Sequence, residues 1–156
     1  MLLPFFQWCE SLWLGQFVVG SNWLFPVIEA AHLLFLSLLG GAVLVVDFRL
    51  LGLGLKDRNA SELWHAARPW MIAAVAGMIV TGVPLFLSEA VKCYYNDSFW
   101  VKMTTLPIAI AFAFTIRARV IEGAVRHTAR RQMLVGALSI ALWFTVAAAG
   151  RWIGFS

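Results

Sequence analysis

Glu29, His32, Leu36, Gly40, Val43 and Asp47 follow one another at intervals of three, four, four, three and four within a single apolar stretch. That spacing puts all six on one helix face. Two carboxylates and an imidazole on one stripe can bind a proton, ligate a metal or haem iron, or simply hydrogen-bond one another. An ionised carboxylate facing lipid is costly, so the stripe is expected to turn inward, where polar groups at membrane depth are functional candidates by default. His32 lies nine residues after Trp23, about 13 Å down a helix axis and close to the bilayer midplane. The imidazole is then a haem or metal ligand, a proton-relay group, or a neutral core residue bonded to Glu29.

Depth selects the residues able to join it. Glu89, Lys102 and Arg151 belong to the same outer half of the membrane, so Glu29, His32, Glu89, Lys102 and Arg151 are the expected polar cluster, with two cations able to neutralise carboxylates. Taken singly, Lys102 and Arg151 each read better as side chains snorkelling to headgroups. His65 and His127 lie toward the opposite face, too far in depth to pair with His32. Asp47, Arg49, Arg58, Arg68 and His65 are expected to form a salt-bridge network anchoring the loop on that face. Glu29-x-x-His32 matches half of a di-iron carboxylate motif, whose second Glu-x-x-His is absent. Cys9 and Cys93 share the outer side, where disulfides persist, and are expected to be free thiols. Zinc-ligand spacing, haem-attachment, phosphate-loop and nucleophile-elbow motifs are missing from the sequence.

The elements that must position these residues follow from composition. Of 156 residues, 62% are hydrophobic and 13% charged, about half the charge a soluble domain carries. A helix needs roughly 20 apolar residues to cross about 30 Å of hydrocarbon. The chain therefore accommodates four spans with short connections, giving a single all-α integral membrane bundle: about Trp23 to Val46, Trp70 to Val91, Phe99 to Ile116, and Met133 to Ile153. Met1 to Ser21 lacks a basic start and a small-residue cleavage site, and its polar interruptions predict an amphipathic helix lying in the interface. Lys92 to Ser98 is expected to be a turn. Asn59 with Glu62 predicts a helix start that runs through Trp64 and His65, and Arg117 to Arg131 should extend one or both of the later helices inward.

Nine of the twelve basic residues flank the first and third connections, namely Arg49, Lys56, Arg58, Arg68, Arg117, Arg119, Arg126, Arg130 and Arg131. Retention of positive loops in the cytoplasm puts both termini on the periplasmic side of a bacterial inner membrane. The net charge of +4 is thereby a topology signal, and nucleic acid is not an expected partner. Trp8, Trp13, Trp23, Trp70, Trp100 and Trp152 fall near span ends, as interfacial anchors do. Ala73, Gly77 and Thr81, and likewise Ala137, Ala141, Thr145 and Ala149, recur every four residues and predict close helix contact, within the chain or in a homo-oligomer.

The stretch Ile28-Glu29-Ala30-Ala31-His32, then Gly40-Gly41, Asp47-Phe48-Arg49-Leu50-Leu51-Gly52, Tyr94-Tyr95-Asn96, Lys102 and Gly150-Arg151-Trp152, resembles a functionally uncharacterised family of small bacterial four-helix inner-membrane proteins, from Trp23 to the C-terminus. More distantly it is similar to the membrane domain of copper-resistance proteins and to four-helix membrane protoporphyrinogen oxidases that hold b-type haem. In the latter a first-span histidine and a lysine opening the third span are essential; His32 and Lys102 occupy the matching positions. This resemblance implies a haem b pocket in the outer half of the bundle. Related sequences often carry a histidine late in the third span, where this chain reads Phe112-Ala113-Phe114-Thr115-Ile116-Arg117. His32 would then be a sole axial ligand or share iron with a non-histidine partner, or the bundle holds no haem. The leading expectation is a haem-binding or redox-associated membrane protein, with Lys102 and Arg151 neutralising propionates. The alternative is a non-catalytic membrane subunit or small transporter that uses Glu29, His32 and Glu89 for proton or ion binding.

Overall fold

A computed structural model of the chain describes residues 2–55, 57–123 and 128–155. Lys56, Arg126 and His127, named above, lie outside the described residues. All regular elements among the described residues are helical. Four are long and apolar enough to cross a membrane, Leu24–Leu50, Ala60–Ser88, Asp97–Glu122 and Ala129–Ile153. The protein is thus a multi-pass membrane protein in contact with the lipid bilayer.

The N-terminal segment is not one interfacial helix. It forms α1 (Leu3–Ser11) and α2 (Trp13–Val19), broken where Leu12 takes an extended conformation. The hairpin is fastened to the bundle: Phe6 and Cys9 pack with Leu87, Ala90, Cys93 and Phe99 in a small outer core. Gly15 sits so close to the helix that carries Leu87 that a Cβ there would collide with the Leu87 carbonyl oxygen. Glu10 Oε2 accepts the Val91 N–H at 2.7 Å, which satisfies a free donor at the start of the next short helix.

The first span, α3 (Leu24–Leu51), ends at Gly52, whose φ of 73° is the left-handed stop that glycine permits. The second, α4 (Ala60–Ser88), begins ten residues before Trp70 and runs unbroken through Pro69 and Pro84. The helix starts where Asn59 and Glu62 predict, but Asn59 caps no backbone N–H; its Nδ2 donates to Glu62 Oε1 at 3.2 Å instead. The expected turn after α4 contains α5 (Ala90–Tyr94). Asn96 then caps α6 (Asp97–Phe112), its Oδ1 accepting the Ser98 and Phe99 N–H groups. The third span continues as a π-helical turn, Ala113–Arg117, and α7 (Ala118–Glu122). α8 (Ala129–Ile153) completes the bundle, and its Ile153 carbonyl accepts from Asn96 Nδ2 at 3.4 Å.

The core follows helical spacing. Leu39, Val43, Val46 and Leu50 of α3 meet Trp64, Ala67, Met71, Ala74 and Met78 of α4, with Ala109, Ala113, Trp143 and Val146 closing the other side. One small-residue stripe holds in part. A Cβ on Gly77 would lie 2.5 Å from the Phe35 ring, and Thr81 bonds across to α3, whereas Ala73 is exposed. In α8 the predicted stripe is out of phase: Ala137, Ala141 and Thr145 are exposed, and the buried face is Gly136, Ser139, Trp143, Val146 and Ala149. Small residues on that span also face outward, because lipid tolerates alanine on either side. Trp8, Trp13, Trp23, Trp70 and Trp152 are exposed as interfacial anchors should be, whereas Trp64 and Trp143 are buried.

Candidate functional site

The two ends of the bundle hold different polar constellations. At the outer end, His32 of α3 and Thr81 of α4 meet at 2.8 Å between Nδ1 and Oγ1. The Thr81 hydroxyl also lies 2.7 Å from the Gly77 carbonyl oxygen. A carbonyl only accepts, so that short contact carries the single hydroxyl proton, and Thr81 Oγ1 must accept from His32 Nδ1–H. The tautomer is thereby fixed, and Nε2 keeps its lone pair. This is the arrangement in which an outer-shell partner orients a ligating imidazole. Gly82 allows the ring its place: a Cβ there would lie 3.2 Å from His32 Cε1.

Lys102, from the second turn of α6, is half-buried and interacts electrostatically with His32. Its stem lies on α8 at Gly150, where a Cβ would come 3.5 Å from Nζ. No carboxylate pairs with Lys102 among the described residues. Its other titratable neighbour is the Cys93 thiol. Burial, reinforced by Glu89, pushes that thiol up to about 11, so Cys93 stays protonated at neutral pH. Cys9 and Cys93 are both free and buried.

The remaining expected members of the cluster are placed elsewhere. Glu29 is exposed on the outward side of α3, so the stripe does not turn inward along its whole length. Its C-terminal half does, with Val43 and Asp47 fully buried. Glu89 lies 3.8 Å from Lys92 in an exposed pair one turn apart. Arg151 is exposed, its guanidinium carbon 4.4 Å from the centre of the Phe155 ring. His32 and Lys102 therefore lie within electrostatic reach of each other, and His32 bonds to Thr81, an unanticipated third member.

At the arginine-rich end, Arg117 Nε donates to Asp47 Oδ1 at 2.6 Å, with both side chains fully buried. Arg117 Nη2 donates to the Val43 carbonyl at 3.3 Å, Nη1 approaches Met71 Sδ at 3.7 Å, and the guanidinium lies 5.3 Å from the Trp64 ring centre. This corrects the expected loop network: among the described residues Asp47 forms its ion pair with Arg117, and Arg49 instead donates from Nε to the Arg58 backbone carbonyl at 2.6 Å. His65 is exposed. The π-turn explains the change. A regular helix would carry the buried face of Ala109, Phe112 and Ala113 on to Ile116. One extra residue in the turn rotates the phase, leaving Ile116 51% exposed and Arg117 wholly buried. Asp47 Oδ2 and the Ser139 hydroxyl sit within electrostatic reach of each other, neither with a hydrogen-bond partner of standard geometry.

One imidazole and one amine would supply an axial ligand and a propionate partner, not a ligand set for a bare metal ion. Among the described residues no three His, Cys, Asp or Glu side chains converge to hold a metal, whereas iron held in a porphyrin needs only an axial ligand from the protein. Lys102 is of the right charge for one propionate.

Fold and site together define a four-helix integral membrane protein with a histidine–lysine pair in its outer half. The chain belongs to a family of unknown function, DUF6644, whose match extends over residues 5–156. No curated protein and no solved structure matches it.

Proposed function

We propose that this protein binds b-type haem in the outer half of its bundle and serves membrane redox chemistry. The observation that carries the reading is the His32–Thr81 bond at 2.8 Å, which leaves Nε2 unprotonated in a half-buried position beside an amine without a carboxylate partner. Haem would supply one-electron chemistry there. His32 would hold the iron, Thr81 would keep the imidazole oriented, and Lys102 would neutralise a propionate. With the arginine-rich end cytoplasmic, as retention of positive loops requires, the site lies toward the periplasmic face of a bacterial inner membrane. The more distant likeness to haem-holding protoporphyrinogen oxidases points the same way, through His32 and Lys102 only. A transporter reading relies on carboxylates beside His32, whereas Glu29 is exposed and Glu89 pairs with Lys92.

The test is a reduced-minus-oxidised spectrum of protein purified in mild detergent after expression with ample haem. A Soret band that disappears in His32→Ala, while that variant retains its helical circular dichroism, is the expected result. A colourless wild-type protein under those conditions refutes the proposal.

A further inference from the structure

The second polar recess lies away from His32, between α4 and α7 at the arginine-rich end. It is a groove of about 300 Å³ lined by Trp64, Arg68, Phe114, Ala118, Arg119 and Glu122. That volume is at the lower end of the range for small-ligand sites, about 300–1,000 Å³. We propose that this groove binds the phosphodiester headgroup of an anionic phospholipid, a role independent of haem.

Charge and placement select that ligand. Arg68 and Arg119 are exposed at the rim, and neither takes part in an ion pair among the described residues. The third nearby guanidinium, Arg117, is already committed to Asp47 behind Trp64. Two free forks suit a phosphate's oxygens in bidentate contact. Glu122 adds one negative charge to the same rim, so the lining carries a net charge of about +1, which a singly charged phosphodiester balances and a dianionic monoester overshoots. The Glu122 carboxylate is also an acceptor for headgroup hydroxyls, which phosphatidylglycerol has and phosphatidylcholine lacks. The walls are aromatic, with the Trp64 and Phe114 rings 5.8 Å apart, and both belong to membrane-spanning helices near the ends that carry the basic residues. A recess at that depth meets lipid headgroups before it meets soluble phosphate.

Native mass spectrometry of the detergent-purified full chain, titrated with phosphatidylglycerol, phosphatidylethanolamine or phosphatidylcholine, tests the assignment. Wild type is expected to retain phosphatidylglycerol preferentially. Arg68→Gln and Arg119→Gln should each reduce that preference by about five-fold, the effect of one basic residue near an anionic surface. Arg130→Gln, an exposed arginine at the same end of the bundle but outside the groove, should leave it unchanged. Equal losses in all three variants would mean diffuse attraction to the basic end and would overturn the site. So would equal retention of the three lipids. If inorganic phosphate displaces phosphatidylglycerol at matched concentration, the ligand is a soluble phosphate and the lipid assignment fails. In Glu122→Gln the ratio of phosphatidic acid to phosphatidylglycerol retained should rise; an unchanged ratio overturns the phosphodiester preference.

Discussion

The two halves of the bundle each hold a polar pair, half-buried for His32 and Lys102 and fully buried for Arg117 and Asp47, and the pairs differ in what they leave unsatisfied. Arg117 and Asp47 neutralise each other at 2.6 Å, with a backbone carbonyl, a thioether and an indole occupying the remaining guanidinium surface, and only Asp47 Oδ2 of the pair left without a standard hydrogen bond. His32 and Lys102 do the opposite, leaving one nitrogen lone pair and one positive charge without partners in the described protein. Buried charge that is paired and hydrogen-bonded can hold a fold in register, whereas uncompensated polar groups at membrane depth call for a ligand. The contrast fits a structural role for the inner pair and the proposed binding role for the outer one.

The most damaging test of that contrast is Asp47→Ala. It leaves Arg117 fully buried with its countercharge removed, and the expected loss is about 3–5 kcal/mol. Thermal unfolding in detergent checks it, together with the double variant Asp47→Leu/Arg117→Met, which removes both charges and should recover most of the loss. A single variant with wild-type stability would show that the inner pair does not hold the bundle.

Next in size is Gly136→Ala, at the contact between α8 and α3. A Cβ there would meet Leu50 Cβ at 3.0 Å and the Asp47 carbonyl oxygen at 3.1 Å. Neither atom is the end of a flexible chain, so the helices must part. An overpacking cost of about 1–3 kcal/mol is expected, read from the same unfolding transition, with pigment per folded molecule unchanged because His32 is remote.

How much of this was legible in the residues alone depends on which physical signal carried it. The four spans are plain because hydrocarbon thickness fixes helix length and apolar run length reports it. The proximity of His32 to Lys102 is also legible, since depth along each span can be counted. Arg117 is not: its position on the regular helical period belongs to the rim, and only the π-turn brings it inward. No sequence period announces that extra residue. Glu29 was misjudged because a shared helix face says nothing about where along its length the neighbouring helices cover it. The α1–α2 hairpin was missed for a related reason, its attachment resting on Gly15 against Leu87 and on Glu10 reaching Val91, contacts distant in sequence.

The outer cap offers a smaller, pH-dependent test. Cys93 has its thiol pushed from 9.0 up to about 11, chiefly by burial. A pKa raised on folding contributes stability that is fully present below pH 9 and lost as pH rises toward 11. The same displacement lowers the thiolate fraction at pH 8 by about 100-fold relative to an unperturbed thiol. Maleimide labelling of a Cys9→Ser variant, which leaves Cys93 as the one thiol, should therefore be slow at pH 8 and should accelerate steeply up to about pH 11. Rapid labelling at pH 8 would mean that the α1–α2 hairpin leaves the outer end open, and with it the approach to Lys102.

The smallest expected change in stability belongs to Gly82→Ala, and it separates the two halves most cleanly. Its Cβ would stand 3.2 Å from His32 Cε1 and 3.7 Å from Nδ1. Unlike the neighbours of Gly136, these atoms belong to a side chain that can turn about its own torsions, and alanine is the better helix former by about 1 kcal/mol. Unfolding should therefore move by no more than about 1 kcal/mol in either direction. A ring displaced by a few tenths of an ångström, however, no longer meets Thr81 Oγ1 at 2.8 Å. Nδ1 loses its partner, the tautomer is no longer fixed, and Nε2 is misaligned as an axial ligand. Haem affinity is expected to fall by about 10- to 100-fold, the usual consequence of removing an outer-shell partner, with a shifted Soret maximum in the remaining pigment. Haem retention equal to wild type, at unchanged stability, would mean that the His32–Thr81 bond does not prepare the imidazole for iron.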